Sequence, residues 1–231
     1  MTDDVEHRHG AFFGRRKGHP LRVRQAELFE TLLPRLALDL NAPAPGDLAT
    51  LFPLAADAVR LEIGFGGAEH LIAQAQSHPR EGFIGCEPFI NGTAKALAAI
   101  DALKLVNIRL HHADAVDLID WLPIGSIARI DLLYPDPWPK RRHWKRRFVS
   151  DANIAKLARV LRSGAELRFA TDWPDYAAWT LARFLRFDDF AWTAERADDW
   201  RRPWPDFGGT RYEAKARREG RAPCYLIFRR R

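Results

Sequence analysis

Val59-Arg60-Leu61-Glu62-Ile63-Gly64-Phe65-Gly66-Gly67-Ala68-Glu69 holds the first strand, the first turn and the first helix start of a repeating pattern. Val59, Leu61 and Ile63 alternate as a short half-buried strand would, and a helix is predicted over 69–76. Gly64 and Gly66, between the two, permit a tight turn and a close approach of backbone to a ligand. The rhythm of strand, loop and helix then continues downstream. Strands are predicted at 82–86, 106–110, 127–133 and 166–170, and helices over 91–103, 115–121, 174–185 and from a Ser150 cap to Leu161. Two further strands, 190–194 and 224–228, complete the set. Short apolar strands alternating with helices predict an α/β fold, a mostly parallel sheet with helices on both faces.

Upstream the pattern is different. Residues 1–20 form a polar, glycine-punctuated arm, predicted to be mobile at its start. Leu28, Leu32, Leu36 and Leu40 recur at helical spacing, which predicts a helix over 22–40 bent at Pro34. A Pro- and Ala-rich connector follows over 41–53. The chain therefore divides into an arm, helix and connector (1–57) and one α/β domain (58–231).

Composition excludes several classes. No run of about 18 apolar residues exists, so no membrane-spanning helix is expected. Asp3, Asp4 and Glu6 precede any apolar stretch, which is not how a signal peptide begins. Cys86 and Cys224 lie far apart in strand-like runs and read as free buried thiols, as in a reducing cytoplasm. His111 and His112 are neighbours on a strand and point to opposite faces, and no Cys-x-x-Cys or His-Glu-x-x-His spacing occurs, so no metal is expected. The net charge of +6 is unevenly spread, with cations gathered at 15–17, 140–147 and 211–231. Such a distribution suits a nucleic-acid partner.

In parallel sheets ligands sit beyond the carboxyl ends of the strands. Here each of the first five strands ends in an acid: Glu62, Glu87, Asp114, Asp136 and Asp172. Asp114 and Asp172 are also placed to cap the helices behind them. Together the five are expected to converge on one crevice. The glycine turn by itself is shared by binders of dinucleotides and of S-adenosylmethionine. A carboxylate beside it repels a pyrophosphate but attracts an ammonium and a sulfonium. Glu62 faces the methionyl ammonium in this reading, Glu87 the ribose hydroxyls and Asp114 the adenine edge. No Tyr-x-x-x-Lys pair of a dehydrogenase is present, and S-adenosylmethionine is the cofactor the residues favour.

Behind the fourth strand stands Pro135-Asp136-Pro137-Trp138, followed by Lys140-Arg141-Arg142-His143-Trp144-Lys145-Arg146-Arg147. A carboxylate stiffened between prolines, with six permanent cations in the next segment, points to chemistry on a nucleic-acid base. The alternatives are a turn-forming acid for Asp136 and a solvated face for the cations. Trp138 either stacks on an extruded base or forms a wall of the site.

From about Phe13 onward the chain resembles the bacterial tRNA (guanine-N7)-methyltransferases, which methylate guanine 46 in the variable loop. The likeness rests on Gly14-Arg15-Arg16-Lys17-Gly18, Glu62-Ile63-Gly64-Phe65-Gly66, Gly85-Cys86-Glu87-Pro88, the Pro135–Trp138 loop with its basic tail, Phe169-Ala170-Thr171-Asp172 and Thr210-Arg211-Tyr212-Glu213. It implies a Rossmann-like class I S-adenosylmethionine-dependent methyltransferase fold. It implies that Glu62, Gly64, Glu87, Asp114 and Asp136 hold the cofactor, with Asp136 the active-site residue. Lys140, Asp172, Thr210, Arg211, Tyr212 and Glu213 would meet the substrate. Arg142, His143, Trp144, Lys145, Arg146 and Arg147 would touch RNA. Gly208-Gly209 reads as a hinge for a loop at 210–213 that closes over substrate. Ala68 departs from the pattern, standing where the family's turn often has its last glycine. Two further readings use the same residues: a methyltransferase of exocyclic base amines, whose motif has a double proline absent here, and a non-catalytic RNA-binding protein that kept the fold.

Overall fold

The structure, a computed structural model, describes Gly14 and residues 16–231. The start of the arm and Arg15 lie outside the described residues. Seven strands form one sheet in the order β3-β2-β1-β4-β5-β7-β6. They are β1 (Val59–Ile63), β2 (Gly82–Cys86), β3 (Ile108–His111), β4 (Ile127–Leu133), β5 (Leu161–Thr171), β6 (Phe190–Trp192) and β7 (Cys224–Arg230). β1 to β5 are parallel, and β7 runs antiparallel between β5 and β6. The strand order reverses between β1 and β4, so the crevice for a ligand opens beyond their carboxyl ends.

Strand alternation sorts the core onto two faces. On one, Leu61, Ile84, Ile130, Leu132, Leu167 and Phe169 pack against α5 (Ala115–Trp121), α6 (Asp151–Val160) and α7 (Pro174–Phe184). On the other, Phe83, Ile108 and Leu110 pack against α1 (Val23–Thr31), α2 (Leu33–Leu36), α3 (Glu69–Ser77) and α4 (Ile90–Leu103). The upstream segment shares both layers: Leu28 and Leu36 lie in the second, Leu48 and Phe52 in the first.

Several elements differ from the sequence reading: β5 starts at Leu161, directly after α6 and five residues before the expected strand, and three others change the local structure. The helix expected over 22–40 breaks at Leu32, and Pro34 sits in the first turn of α2, where its missing N–H costs nothing. The chain is extended by Ala37, which bridges Leu110 at the sheet edge. β3 starts two residues late because Asn107 turns its side-chain amide to the carbonyls of Ala75, His78 and Glu81. Gly208-Gly209 stays irregular as expected, but residues 211–213 of the expected loop are the first turn of a capped helix, α9 (Arg211–Arg218), and a single turn, α8 (Asp198–Arg201), lies upstream.

One face of the central strands carries a charged layer. Glu62, Arg129, Asp131 and Arg168 share one face of β1, β4 and β5. Asp206 closes it, accepting from Arg129 Nη1 (2.9 Å) and Arg168 Nη1 (2.7 Å), while its backbone oxygen accepts from Gln74 Nε2 (2.7 Å). Burial works to raise the Asp206 pKa, but the two guanidiniums prevail and bring it down to about 2. The segment leading to α9 is thereby pinned to the sheet.

Candidate active site

The turn after β1 exposes bare backbone. Gly64 has φ +71° with open space where a side chain would stand. Behind the turn, a Cβ on Gly92 of α4 would lie 2.2 Å from the Gly66 carbonyl oxygen, so only glycine lets α4 come this close. Ala68 also has a left-handed backbone (φ +66°), is fully buried, and caps α3. Its methyl group is tucked inside and leaves the ligand side of the turn unobstructed.

Glu87 staples this turn to β2. Its Oε2 accepts from Gly66 N (2.7 Å) and its Oε1 from Phe89 N (2.9 Å). A carboxylate has about four lone-pair positions, so acceptor capacity remains on both oxygens. Burial, and then the charges of Asp136 and Glu62, raise the Glu87 pKa against those two backbone bonds. Glu62 is itself buried, which raises its pKa, and its Oε2 pairs with His70 Nδ1 at 2.7 Å. Glu62 in turn raises the His70 pKa against the cost of burying that ring. His70 escaped the sequence reading; its one signal was a place in the first turn of the helix behind Glu62's strand. Asp114 caps α5, accepting from Val116 N (3.0 Å), and stands near enough to Cys86 to help raise that buried thiol. Cys86 and Cys224 are both free.

Asp136 sits in an exposed loop bracketed by two left-handed aromatic residues, Tyr134 (φ +51°) and Trp138 (φ +42°). Partial desolvation by the surrounding chain raises its pKa. Trp138 is engaged on the protein side, edge-on to His143 (5.7 Å) and under the Arg146 guanidinium (4.9 Å).

Asp172 does not cap α7; Trp173 does, and Asp172 Oδ2 accepts from Arg221 Nε at 2.6 Å. Thr210 caps α9 through Glu213 N (3.1 Å). Tyr212 lies over the glycine turn, its ring 3.0 Å from where a Gly66 Cβ would be, and Arg211 Nε donates to Glu69 Oε1 (2.6 Å). Burial, and then the charge of Glu87, raise the Tyr212 pKa. Glu213 points inward, accepting from Tyr225 Oη (2.7 Å) and Arg217. It is a poor candidate for direct substrate contact.

Lys140 and the 3-10 turn Arg141–Arg146 that it precedes form a basic rim on which Lys140, Arg141, Arg142 and Lys145 are exposed. Slight desolvation and then Arg146, Arg142, Lys140 and Lys145 lower the His143 pKa, the mark of concentrated positive charge. Arg147 is a correction. Its side chain has no exposed surface, so it cannot touch RNA as the motif implied. Trp144 is half-buried against Trp179 (5.3 Å) and is also turned inward.

The glycine cradle beside acceptor-only carboxylates fits a ligand that carries an ammonium and a sulfonium. With the β1–β4 switch point, these features define a class I S-adenosylmethionine-dependent methyltransferase. Solved structures agree on the fold. The 16S rRNA methyltransferase KamB superposes with a TM-score of 0.55 at 17% identity, covering 76% of this chain and 89% of that one. The Streptococcus mutans protein SMU.1697c, in complex with SAH, superposes at 0.51 with 10% identity, covering 80% and 93%. A family model described as "Putative methyltransferase" matches residues 56–226. The tRNA (guanine-N(7)-)-methyltransferase of Rhodopseudomonas palustris (strain HaA2) is 59% identical over 231 residues, 100% of this chain and 90% of that protein. That of Bradyrhizobium diazoefficiens is 60% identical over 228 residues, 99% and 95%. The chain belongs to the bacterial tRNA (guanine-N7)-methyltransferase family. Among the described residues no helix is long and apolar enough to cross a membrane.

Proposed function

We propose that this enzyme methylates guanine 46 in the variable loop of tRNA, with Asp136 holding the target base. The activity itself, transfer of a methyl group from S-adenosylmethionine to N7 of a tRNA guanine, follows from family membership. The position and the residue roles are the reading argued here. Glu62, Glu87 and Asp114 would hold the cofactor around the bare turn at Gly64. When bound, S-adenosylmethionine supplies an electrophilic methyl group on a positively charged sulfur.

Guanine N7 carries an in-plane lone pair and no proton, so the chain need provide no general base. Its residues have to align the nucleophile with the methyl carbon and sulfur, and positioning of this kind is worth about 7–11 kcal/mol. Asp136 would accept from guanine N1–H and N2–H₂. Its ionised form also favours the positive charge that grows on the purine. At about 4 Å and an effective dielectric near 20, unit charges attract by about 4 kcal/mol. That figure is a ceiling, because the carboxylate also attracts the cationic reactant. Asp172, held through one oxygen by Arg221, keeps its other oxygen for substrate. Lys140, Arg142, His143 and Lys145 would follow the phosphate backbone, and Tyr212, with Thr210 and Arg211 in the same helix start, would cover the cofactor turn.

What supports this reading is the bare turn at Gly64, stapled through Gly66 to Glu87 beside the β1–β4 switch point, with the Asp136 loop leaving β4 there and the basic rim directly behind it. The test is methylation of unmodified tRNA with labelled cofactor, followed by aniline cleavage at N7-methylguanine. One cleavage at guanine 46 is the expected pattern. Cleavage at a different guanine would overturn the assignment of position.

A further inference from the structure

We propose that Arg147 is a positioning residue that fixes the loop bearing Asp136. The inference rests on Asp136 being the site carboxylate. Arg147 Nε donates to the carbonyl oxygen of Pro137, the residue after Asp136, at 2.9 Å. Its Nη2 pairs with Asp175 in the first turn of α7. The guanidinium carbon lies 5.0, 4.9 and 4.8 Å from the ring centres of Trp144, Tyr176 and Trp179. Two of those rings are themselves tied to the chain at Val149: Trp179 Nε1 donates to its carbonyl (2.9 Å), and its N–H donates to Tyr176 Oη (3.3 Å). Nη1 is enclosed without a hydrogen-bond partner, where π faces take the place of an acceptor.

The loop needs such a fastening. Left-handed backbone at a non-glycine residue is strained and persists only where the surroundings over-determine it. Tyr134 and Trp138 both have it, and Asp136 lies midway between them. At the near end Tyr134 N donates to the Ala170 carbonyl (2.7 Å). At the far end the fastening is Arg147, through a charge-assisted bond to the peptide immediately before Trp138. A flat fork of donors can bridge Pro137 and Asp175 while stacked among rings; the single ammonium of a lysine cannot do all three.

The test separates this role from a phosphate contact. Arg147→Lys keeps the charge and is the variant expected to fold; Arg147→Met removes the charge. Measured quantities are the single-turnover methyl-transfer rate at saturating tRNA and cofactor, and tRNA affinity across a salt series. Arg147→Lys should slow transfer about tenfold or more, with tRNA affinity and salt slope unchanged within twofold. A full rate in Arg147→Lys overturns the proposal. So does a full saturating rate in Arg147→Met combined with weaker, less salt-dependent tRNA binding. The double variant Arg147→Lys/Asp136→Asn should be no slower than Asp136→Asn alone, since one residue acts through the other; fully multiplicative losses refute that link. If Arg147→Lys is slow while Asp136→Asn is not, the site reading fails and the link with it. If only Asp136→Asn is slow, the site reading stands and this inference fails.

Discussion

At the exits of β2 and β3 the acids are fixed by backbone N–H groups, while Glu62 of β1 pairs with the His70 side chain at the start of α3. Glu87 binds the N–H of Phe89 and of Gly66, and Asp114 binds that of Val116. Around β4 and β5 the fastenings are arginine side chains. Arg147 holds the Asp136 loop, Arg221 holds Asp172, and Arg129 and Arg168 pin Asp206 ahead of α9. Backbone bonds make the cofactor half stiff. Partly exposed ion pairs are each worth only about 0–1 kcal/mol, so the outer parts of the base half can rearrange cheaply when a large polyanion arrives. Arg129 and Arg147 are the buried exceptions there, and Arg147 is the pin at the loop that carries Asp136.

The difference can be broken from either side. Gly92→Ala attacks the stiff half and should have the largest effect. Its Cβ would meet the Gly66 carbonyl at 2.2 Å, and backbone on both sides has little room to yield. Calorimetric cofactor affinity should fall at least about tenfold, with stability lost by about 1–3 kcal/mol, the usual cost of overpacking. Arg142→Glu with Lys145→Glu attacks the other half at two exposed cations. Binding of tRNA should weaken several-fold and its salt dependence flatten by about one to two units of log slope, with cofactor affinity intact.

Proton release upon cofactor binding is a smaller effect. Burial raises Glu62, Glu87 and Asp136. Just above the ordinary carboxylate value of about 4.3 the cofactor-free native state therefore binds more protons than the unfolded chain, and its stability falls as pH rises through that window. A cationic cofactor favours the ionised acids, so its binding should expel protons and tighten with rising pH. Calorimetry in buffers of different ionisation enthalpy should show release; proton uptake would contradict the arrangement. Least of all should come from Ala68→Gly. Relief of a left-handed alanine, about 1–2 kcal/mol, is offset by a lost buried methyl and by glycine's unfolded-state entropy. Thermal melts should place the net change within about 1 kcal/mol.

The locally encoded parts of both halves were the legible ones. A strand of five, a glycine turn and a helix are local signals, and the predicted bounds of β1, β2 and β4 coincide with the observed strands. The acids at their exits followed from the same pattern. The base half depends on contacts across tens of residues, which no local pattern encodes. Nothing in a run of six cations marks Arg147 as the one that folds inward, apart from the apolar Phe148 and Val149 beside it. α9 was missed for a different reason. Arg-Tyr-Glu-Ala-Lys-Ala-Arg-Arg has no apolar stripe, yet Thr210 and Glu213 form the Thr-x-x-Glu signature of a helix start, and that signal was available.

The most direct measurement is the single-turnover rate of Asp136→Asn with tRNA and cofactor both saturating. Asparagine keeps the size but gives up the charge and one of two acceptors. A rate about a hundredfold lower, about 2.7 kcal/mol in barrier, with both affinities nearly retained, is what a base-orienting, charge-stabilising carboxylate requires. A rate equal to that of the unmodified enzyme would remove Asp136 from the chemistry.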